Sequence, residues 1–214
     1  MKQPLDRLID RHRMNIQGVI HIGTTTGEEY LMYRECGINP IIWFEPGDAA
    51  EKIPGGLVMP FALGDKPYRL EAIEPMSFAW KIRRKEYLWE SFPDPKHSSF
   101  LQPYLHLAYY PDNGFRASKQ STTIFALDEF IDKSLPPANF LVIDTNGYDL
   151  EVLKGGSKYL PKVDYIYTEV YKEELYKDVP MIEQIDEFLT ALHFTREETW
   201  WYEHGWGDAL YIRK

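Results

Sequence analysis

Short apolar runs recur along this chain, and stretches with helical spacing lie between them. Val19 to Ile22, Ile41 to Phe44, Leu57 to Leu63, Phe140 to Ile143 and Tyr165 to Val170 are β-branched or aromatic and bounded by Gly, Pro, Asn or Asp. They read as strands. Glu28 to Cys36, stopping at Gly37, reads as a helix, as does Leu150 to Leu160 with its Gly155-Gly156 pair. Met181 to Leu192 places Ile182, Ile185, Phe188, Leu189 and Leu192 on one helical face behind Pro180. Strands alternating with helices imply a parallel sheet covered on both faces, so an open, doubly wound α/β fold is expected. Thr199 to Tyr202 and Ala209 to Ile212 flank Gly205 and predict a closing antiparallel hairpin.

Residues 66–120 break this rhythm. A helical stretch is expected near Phe78 to Trp89 and an irregular piece from Pro93 to Gly114, too long for a plain connection. An inserted cap over the site is the reading. No repeat or Gly/Ser linker divides the 214 residues, so one domain is expected over 1–214, standing alone or as a domain of a longer chain.

Charge and cysteine content narrow the functional classes. Thirty-three acids against 24 Lys and Arg give a formal net charge of −9, the wrong sign for a nucleic-acid partner. The basic cluster Lys81, Arg83, Arg84 and Lys85 reads as the solvated face of a helix. No apolar run reaches the roughly 18 residues of a membrane span, and no signal peptide precedes the first charges. Cys36 stands alone, which excludes an intrachain disulfide and fits a reducing, cytoplasmic setting.

In open α/β sheets ligands bind beyond the carboxyl ends of the strands. After the first strand comes Gly23-Thr24-Thr25-Thr26-Gly27, a G-x-x-x-G turn without the middle glycine of dinucleotide enzymes. After the second comes Glu45-Pro46, about 20 residues past the glycine turn, where an acid suits a ribose diol. The third ends in Ala62-Leu63-Gly64-Asp65, placed to wall an adenine and bond its amino group. The fourth ends in Asp144-Thr145-Asn146-Gly147, and Glu169 follows on the fifth. Glu28 and Glu29 at the helix start would repel a phosphate. A cationic, phosphate-free adenosine cofactor fits better, and S-adenosylmethionine is one.

The strings VIHIGTTTGEEY, IIWFEP, FALGD, HSSFLQP, FALDEFI, FLVIDTNGYDLEVLKGG, YIYTEVY and GDALYIRK occur in this order from about Val19 to the end. Together they resemble the FkbM-type family of S-adenosylmethionine-dependent methyltransferases, most specifically around Asp144 to Gly155. The resemblance implies the Rossmann-like class I methyltransferase fold and methyl transfer to an oxygen of a small molecule, a sugar or glycan first. It implies further that Gly23 and Gly27 flank the methionine part of the cofactor, with His21 and Thr24 beside it. Glu45 and Pro46 then face the ribose, Ala62, Leu63 and Asp65 surround the adenine, and Asp144 lies near the methyl. Many members carry an acid where this chain has His21, which leaves the contact to the methionine amino group unassigned. Asn146 stands where an acid near the acceptor is usual.

A base helps an alcohol attack a sulfonium methyl, and Asp144, His97 and His106 are the candidates. Asp144 serves equally as an orienting acceptor. Ser98, Ser99, Glu169 and Trp206 are candidate acceptor-binding residues; of Trp200 and Trp201, strand alternation sends one to the core and the other toward the acceptor. A weakly held Mg²⁺ on Asp144 and Glu169 is not favoured, since no metal-ligand motif supports it. The rival readings are a nicotinamide-dependent oxidoreductase and a non-catalytic methyltransferase-like binding module.

Overall fold

The computed structural model describes residues 1, 3–46, 48–65, 85–92, 96, 98–130 and 135–214. In chain order the elements begin α1 (Leu5–His12), β1 (Val19–Ile22), α2 (Tyr30–Glu35), β2 (Ile41–Phe44), β3 (Leu57–Met59), β4 (Ala62–Leu63) and β5 (Lys85–Phe92). They continue with α3 (Leu105–Tyr109), β6 (Gly114–Phe125), β7 (Phe140–Ile143), α4 (Asp149–Gly155), β8 (Tyr165–Tyr171), α5 (Ile182–Thr190), β9 (Phe194–Trp201) and β10 (Trp206–Arg213).

The main sheet runs in the order β3-β2-β1-β7-β8-β10-β9. Its first five members are parallel, while β10 runs antiparallel to both β8 and β9. Every residue of β1, β2 and β7 is buried, so alternate side chains feed two cores. Ile20, Ile22, Ile42, Phe44, Leu141 and Ile143 pack on one face with Leu153 of α4 and Ile185 of α5. On the other face Val19, Ile41, Trp43 and Val142 meet Leu5 and Leu8 of α1 and Tyr33 of α2. Each such side chain taken out of water contributes about 1.5–3 kcal/mol.

Several elements depart from the sequence expectation. The run from Leu57 to Leu63 divides into β3 and β4, which join different sheets. Pro60 stands at the break, where its missing N–H interrupts a ladder. The helix expected near Phe78 to Trp89 is replaced over its described part by β5, which pairs antiparallel with β6; residues 78–84 lie outside the described residues. β6, twelve residues long, also pairs with β4 and completes a second, three-stranded sheet. The sequence reading had no strand at β6 and no helix at α1. The hairpin is longer than expected, spanning all of β9 and β10. α4 ends at Gly155, where a Cβ would lie 1.8 Å from the Gly64 carbonyl oxygen, so only glycine lets helix and strand come so close.

Candidate active site

The sheet order reverses between β1 and β7, since the chain proceeds outward from them in opposite directions. That switch point opens a crevice above the strand ends. A cavity of about 1060 Å³ occupies it. The Asp144 N–H donates to the Ile22 carbonyl at 2.9 Å, which pins the ends of β7 and β1 together. Gly23 follows at φ +77°, and a Cβ there would come 2.1 Å from the Asp144 carbonyl oxygen. The turn therefore requires glycine.

Glu45 braces this turn. Its Oε2 accepts the backbone N–H of Thr24 at 2.9 Å and of Thr25 at 2.8 Å. Its Oε1 has no hydrogen-bond partner among the described residues, and the side chain stays on the cavity wall. Burial pushes the Glu45 carboxyl up; the two N–H groups pull it back and the charge of Asp144 adds to the rise. Pro46, Ala62 and Leu63 line the same end. Asp65 is not among the wall residues, and neither is Gly27. Gly27 has φ +71°, and a Cβ there would meet Pro54 Cδ at 2.9 Å, so the turn needs glycine at this position.

His21 points away from the cavity, onto the Tyr33 and Trp43 face of the sheet. Its Nδ1 hydrogen-bonds the Tyr33 hydroxyl at 2.9 Å. Burial lowers it to about 4, against the pull of the Glu29 carboxylate, so it is neutral at pH 7. Glu29 itself lies on the wall, where its Oε2 accepts from Thr24 Oγ1 at 3.1 Å. The Met1 ammonium enters the cavity, donates to Glu29 Oε1 at 3.1 Å and lies 4.0 Å from Asp144 Oδ2.

Asp144, Ser98, Ser99, His106, Glu169 and Trp206 also lie on the wall. His97 lies outside the described residues. The Ser99 hydroxyl is committed locally, donating to the Asn146 carbonyl at 2.7 Å and accepting the Leu101 N–H at 3.0 Å. Asn146, at φ 51°, donates through Nδ2 to the Lys96 carbonyl at 2.8 Å and the Ser98 carbonyl at 3.0 Å. It ties the β7 turn to Lys96 and Ser98, and an acid has no donor for those carbonyls. His106 is buried on α3 against Phe115 and Tyr176. Trp206 donates its indole N–H to Tyr110 at 3.0 Å. Trp200, partly buried, stacks on Tyr167 at the edge of the core, whereas Trp201 borders the cavity.

Glu169 and Asp208 are direct cross-strand partners on β8 and β10. Asp208 Oδ2 accepts two phenols, Tyr167 at 2.6 Å and Tyr202 at 2.7 Å. Glu169 accepts the Tyr171 hydroxyl at 2.5 Å. Burial drives the Glu169 carboxyl well up, and the nearby charges of Asp144 and Asp149 add to that. Asp149, fully buried behind the site, is pushed up to about 8 by burial and by Asp144. It accepts from Gly147 N–H and from Thr168 Oγ1, each at 3.2 Å. Asp208 and Asp149 have no role in the sequence reading, and Glu29 enters it only as a charge at the helix start that repels phosphate. Asp208 had a signal, an acid inside the apolar strand W-G-D-A-L-Y-I. Among the described residues no group of three or more His, Cys, Asp or Glu is arranged to hold a metal ion, and no helix is long and apolar enough to cross a membrane.

The model of the methyltransferase FkbM domain matches residues 18–196. The chain belongs to the FkbM methyltransferase family. No curated protein sequence matches this family member. Among solved structures it is similar to magnesium protoporphyrin IX methyltransferase from Synechocystis PCC 6803, crystallised with bound S-adenosylmethionine. The TM-score is 0.50 and the identity 6%, over 98% of this chain and 76% of that one. An rRNA methylase from Streptococcus thermophilus aligns with a TM-score of 0.46 and 10% identity, over 100% of this chain and 98% of that one. The family match and the sheet order agree on a Rossmann-like class I methyltransferase fold with an antiparallel C-terminal hairpin.

Proposed function

We propose that this FkbM-family methyltransferase uses S-adenosylmethionine to methylate a hydroxyl oxygen of a small polyhydroxyl compound, a sugar or glycan first. The observation that carries this reading is one continuous cavity along the strand ends, running from Glu45 past Gly23 and Asp144 to Glu169 and Asp208. Its wall suits the cofactor on three counts: a bare Cα at Gly23, an unengaged Glu45 Oε1 for a ribose diol, and the apolar Ala62 and Leu63 for a base. Bound there, S-adenosylmethionine supplies a methyl group on a positively charged sulfur, ready for displacement.

The chain's own residues then position the acceptor. Asp144, part-exposed at the middle of the crevice, accepts the hydrogen bond of the attacking hydroxyl and takes its proton, a contribution of about 10²–10⁴-fold. Glu169, its carboxyl driven well up by burial and by the charges of Asp144 and Asp149, orients an acceptor hydroxyl and leaves proton removal to the more exposed Asp144. His106 is the second candidate for that step. The rings of Trp206 and Trp201 offer flat faces to sugar C–H surfaces. Carboxyl groups of Glu28, Glu203 and Asp208 on the described wall, with Lys96 paired to Glu28 at 2.6 Å, disfavour a phosphorylated or nucleic-acid acceptor.

The test is methyl transfer from isotopically labelled S-adenosylmethionine to a panel of glycosides, sugar phosphates and RNA, read by mass spectrometry. Label on a hydroxyl of an uncharged sugar is expected. Label on RNA alone, or tight binding of NAD without S-adenosylhomocysteine, overturns the reading.

A further inference from the structure

We propose that Asp208 and Glu169, with the Trp206 ring beside them, form an acceptor subsite that selects a sugar ring carrying two adjacent free hydroxyls. The proposal rests on the sugar-methylation reading above and names the part of the acceptor that is recognised.

Strand register builds the subsite. Between β10 and β8, Asp208 pairs directly with Glu169 and Trp206 with Tyr171. Residues two apart on a strand share a face, so the four side chains stand on one side of the sheet. All four line the cavity. Directly opposite residues hold their Cβ atoms about 4.5–5.5 Å apart, and two acids so placed weaken a sheet. This pair is 6% and 7% exposed, where repulsion is little screened, so its place at the cavity wall points to a ligand rather than to folding.

Tyrosines fix how each acid is presented. Asp208 Oδ2 accepts from Tyr167 at 2.6 Å and Tyr202 at 2.7 Å, and Glu169 Oε2 accepts from Tyr171 at 2.5 Å. Asp208 Oδ1 and Glu169 Oε1 take no hydrogen bond among the described residues, and neither is sealed from the cavity. Two adjacent hydroxyls on one ring match two such oxygens, whereas a lone hydroxyl has one proton to give. A hydroxyl both donates and accepts, so the match holds with one carboxyl ionised or both. Burial and the charges of Asp144 and Asp149 push the Glu169 carboxyl up. That works against two full charges side by side, which an ammonium would call for, and suits a neutral diol. Trp206, held by its N–H to Tyr110 at 3.0 Å, offers an apolar face to the ring's C–H groups.

The test measures binding of methyl glycosides of common hexoses to the full chain saturated with S-adenosylhomocysteine, each beside its monodeoxy and 2-amino-2-deoxy analogues. At least one glycoside is expected to bind, and removing either hydroxyl of one adjacent pair should weaken it by about 10-fold or more. Removing a hydroxyl elsewhere should cost less than about 3-fold. In Asp208→Asn and in Glu169→Gln that difference should shrink below about 3-fold, with S-adenosylhomocysteine affinity within about 3-fold of wild type. The wild-type comparison needs no variant to fold. Equal binding of every monodeoxy analogue overturns the diol subsite and leaves the methylation reading standing. Tighter binding of an amino analogue than of its parent overturns it in favour of a cation. An undiminished difference in a variant, or an equal loss of S-adenosylhomocysteine, removes that residue from the subsite. If S-adenosylhomocysteine binds but no glycoside does, the sugar reading falls and this proposal with it.

Discussion

Asp144 and Asn146 stand two residues apart and make opposite demands. Asp144 faces the cavity, whereas Asn146 turns its amide back to hold the Lys96 and Ser98 carbonyls. Asp144→Asn keeps the shape and removes the proton acceptor, so kcat should fall about 10²–10⁴-fold. Calorimetry should find S-adenosylhomocysteine affinity within about 3-fold of wild type. Unchanged turnover removes Asp144 from the chemistry. Asn146→Asp aims a carboxylate at two carbonyls and loses two hydrogen bonds, a cost of about 1–3 kcal/mol at about 0.5–1.5 each. A lowered midpoint in urea at pH 7 is the readout. Position made the first of these residues legible in the sequence: Asp144 and Glu45 follow apolar runs directly, and a strand end fixes where the next side chains go. Asp208 and Glu29 were not legible in the same way. One sits inside a strand and the other within a turn, and only the packing of Thr24, Tyr167 and Tyr202 around them brings their carboxylates to the cavity.

Elements that bury both faces could be read from apolar runs, and β1, β2 and β7 fall where those runs lie. Elements held by pairing could not. β6 carries R-A-S-K-Q-S-T-T, with no apolar alternation, and owes its extended form to β5 and β4 on either side. The helix expected near Phe78 to Trp89, which overlaps β5 over residues 85–89, fails for the same reason: aromatic and charged residues at mixed spacing fit either period until a partner strand is known. α4 and β8 are joined by a buried contact with a pH signature, from Asp149 to Thr168. With its carboxyl pushed up to about 8, the folded chain keeps a proton that the unfolded chain releases near pH 4. Stability from this group is therefore full below about pH 4 and is lost as pH rises toward 8. Asp149→Asn, which mimics the protonated acid, should flatten that decline. Urea midpoints of both proteins at pH 5 and pH 8 check it, and parallel declines refute it.

At the scale of the whole molecule, a ligand that binds only the folded chain raises its stability by mass action. S-Adenosylhomocysteine at about 100 times its Kd contributes about 2.7 kcal/mol, which for a chain of this length raises Tm by about 5–11 °C. NAD at the same concentration should leave Tm unchanged. A shift with NAD alone would point back to the oxidoreductase reading that the missing middle glycine argues against. The carboxylates spread along the crevice carry one more consequence. They attract a donor whose sulfur bears a positive charge, and that attraction weakens once the methyl has left and the sulfur is neutral. Spent donor should thus be held less firmly than fresh donor, so that charge loss at a single atom favours exchange after each turnover, which a comparison of the two Kd values checks.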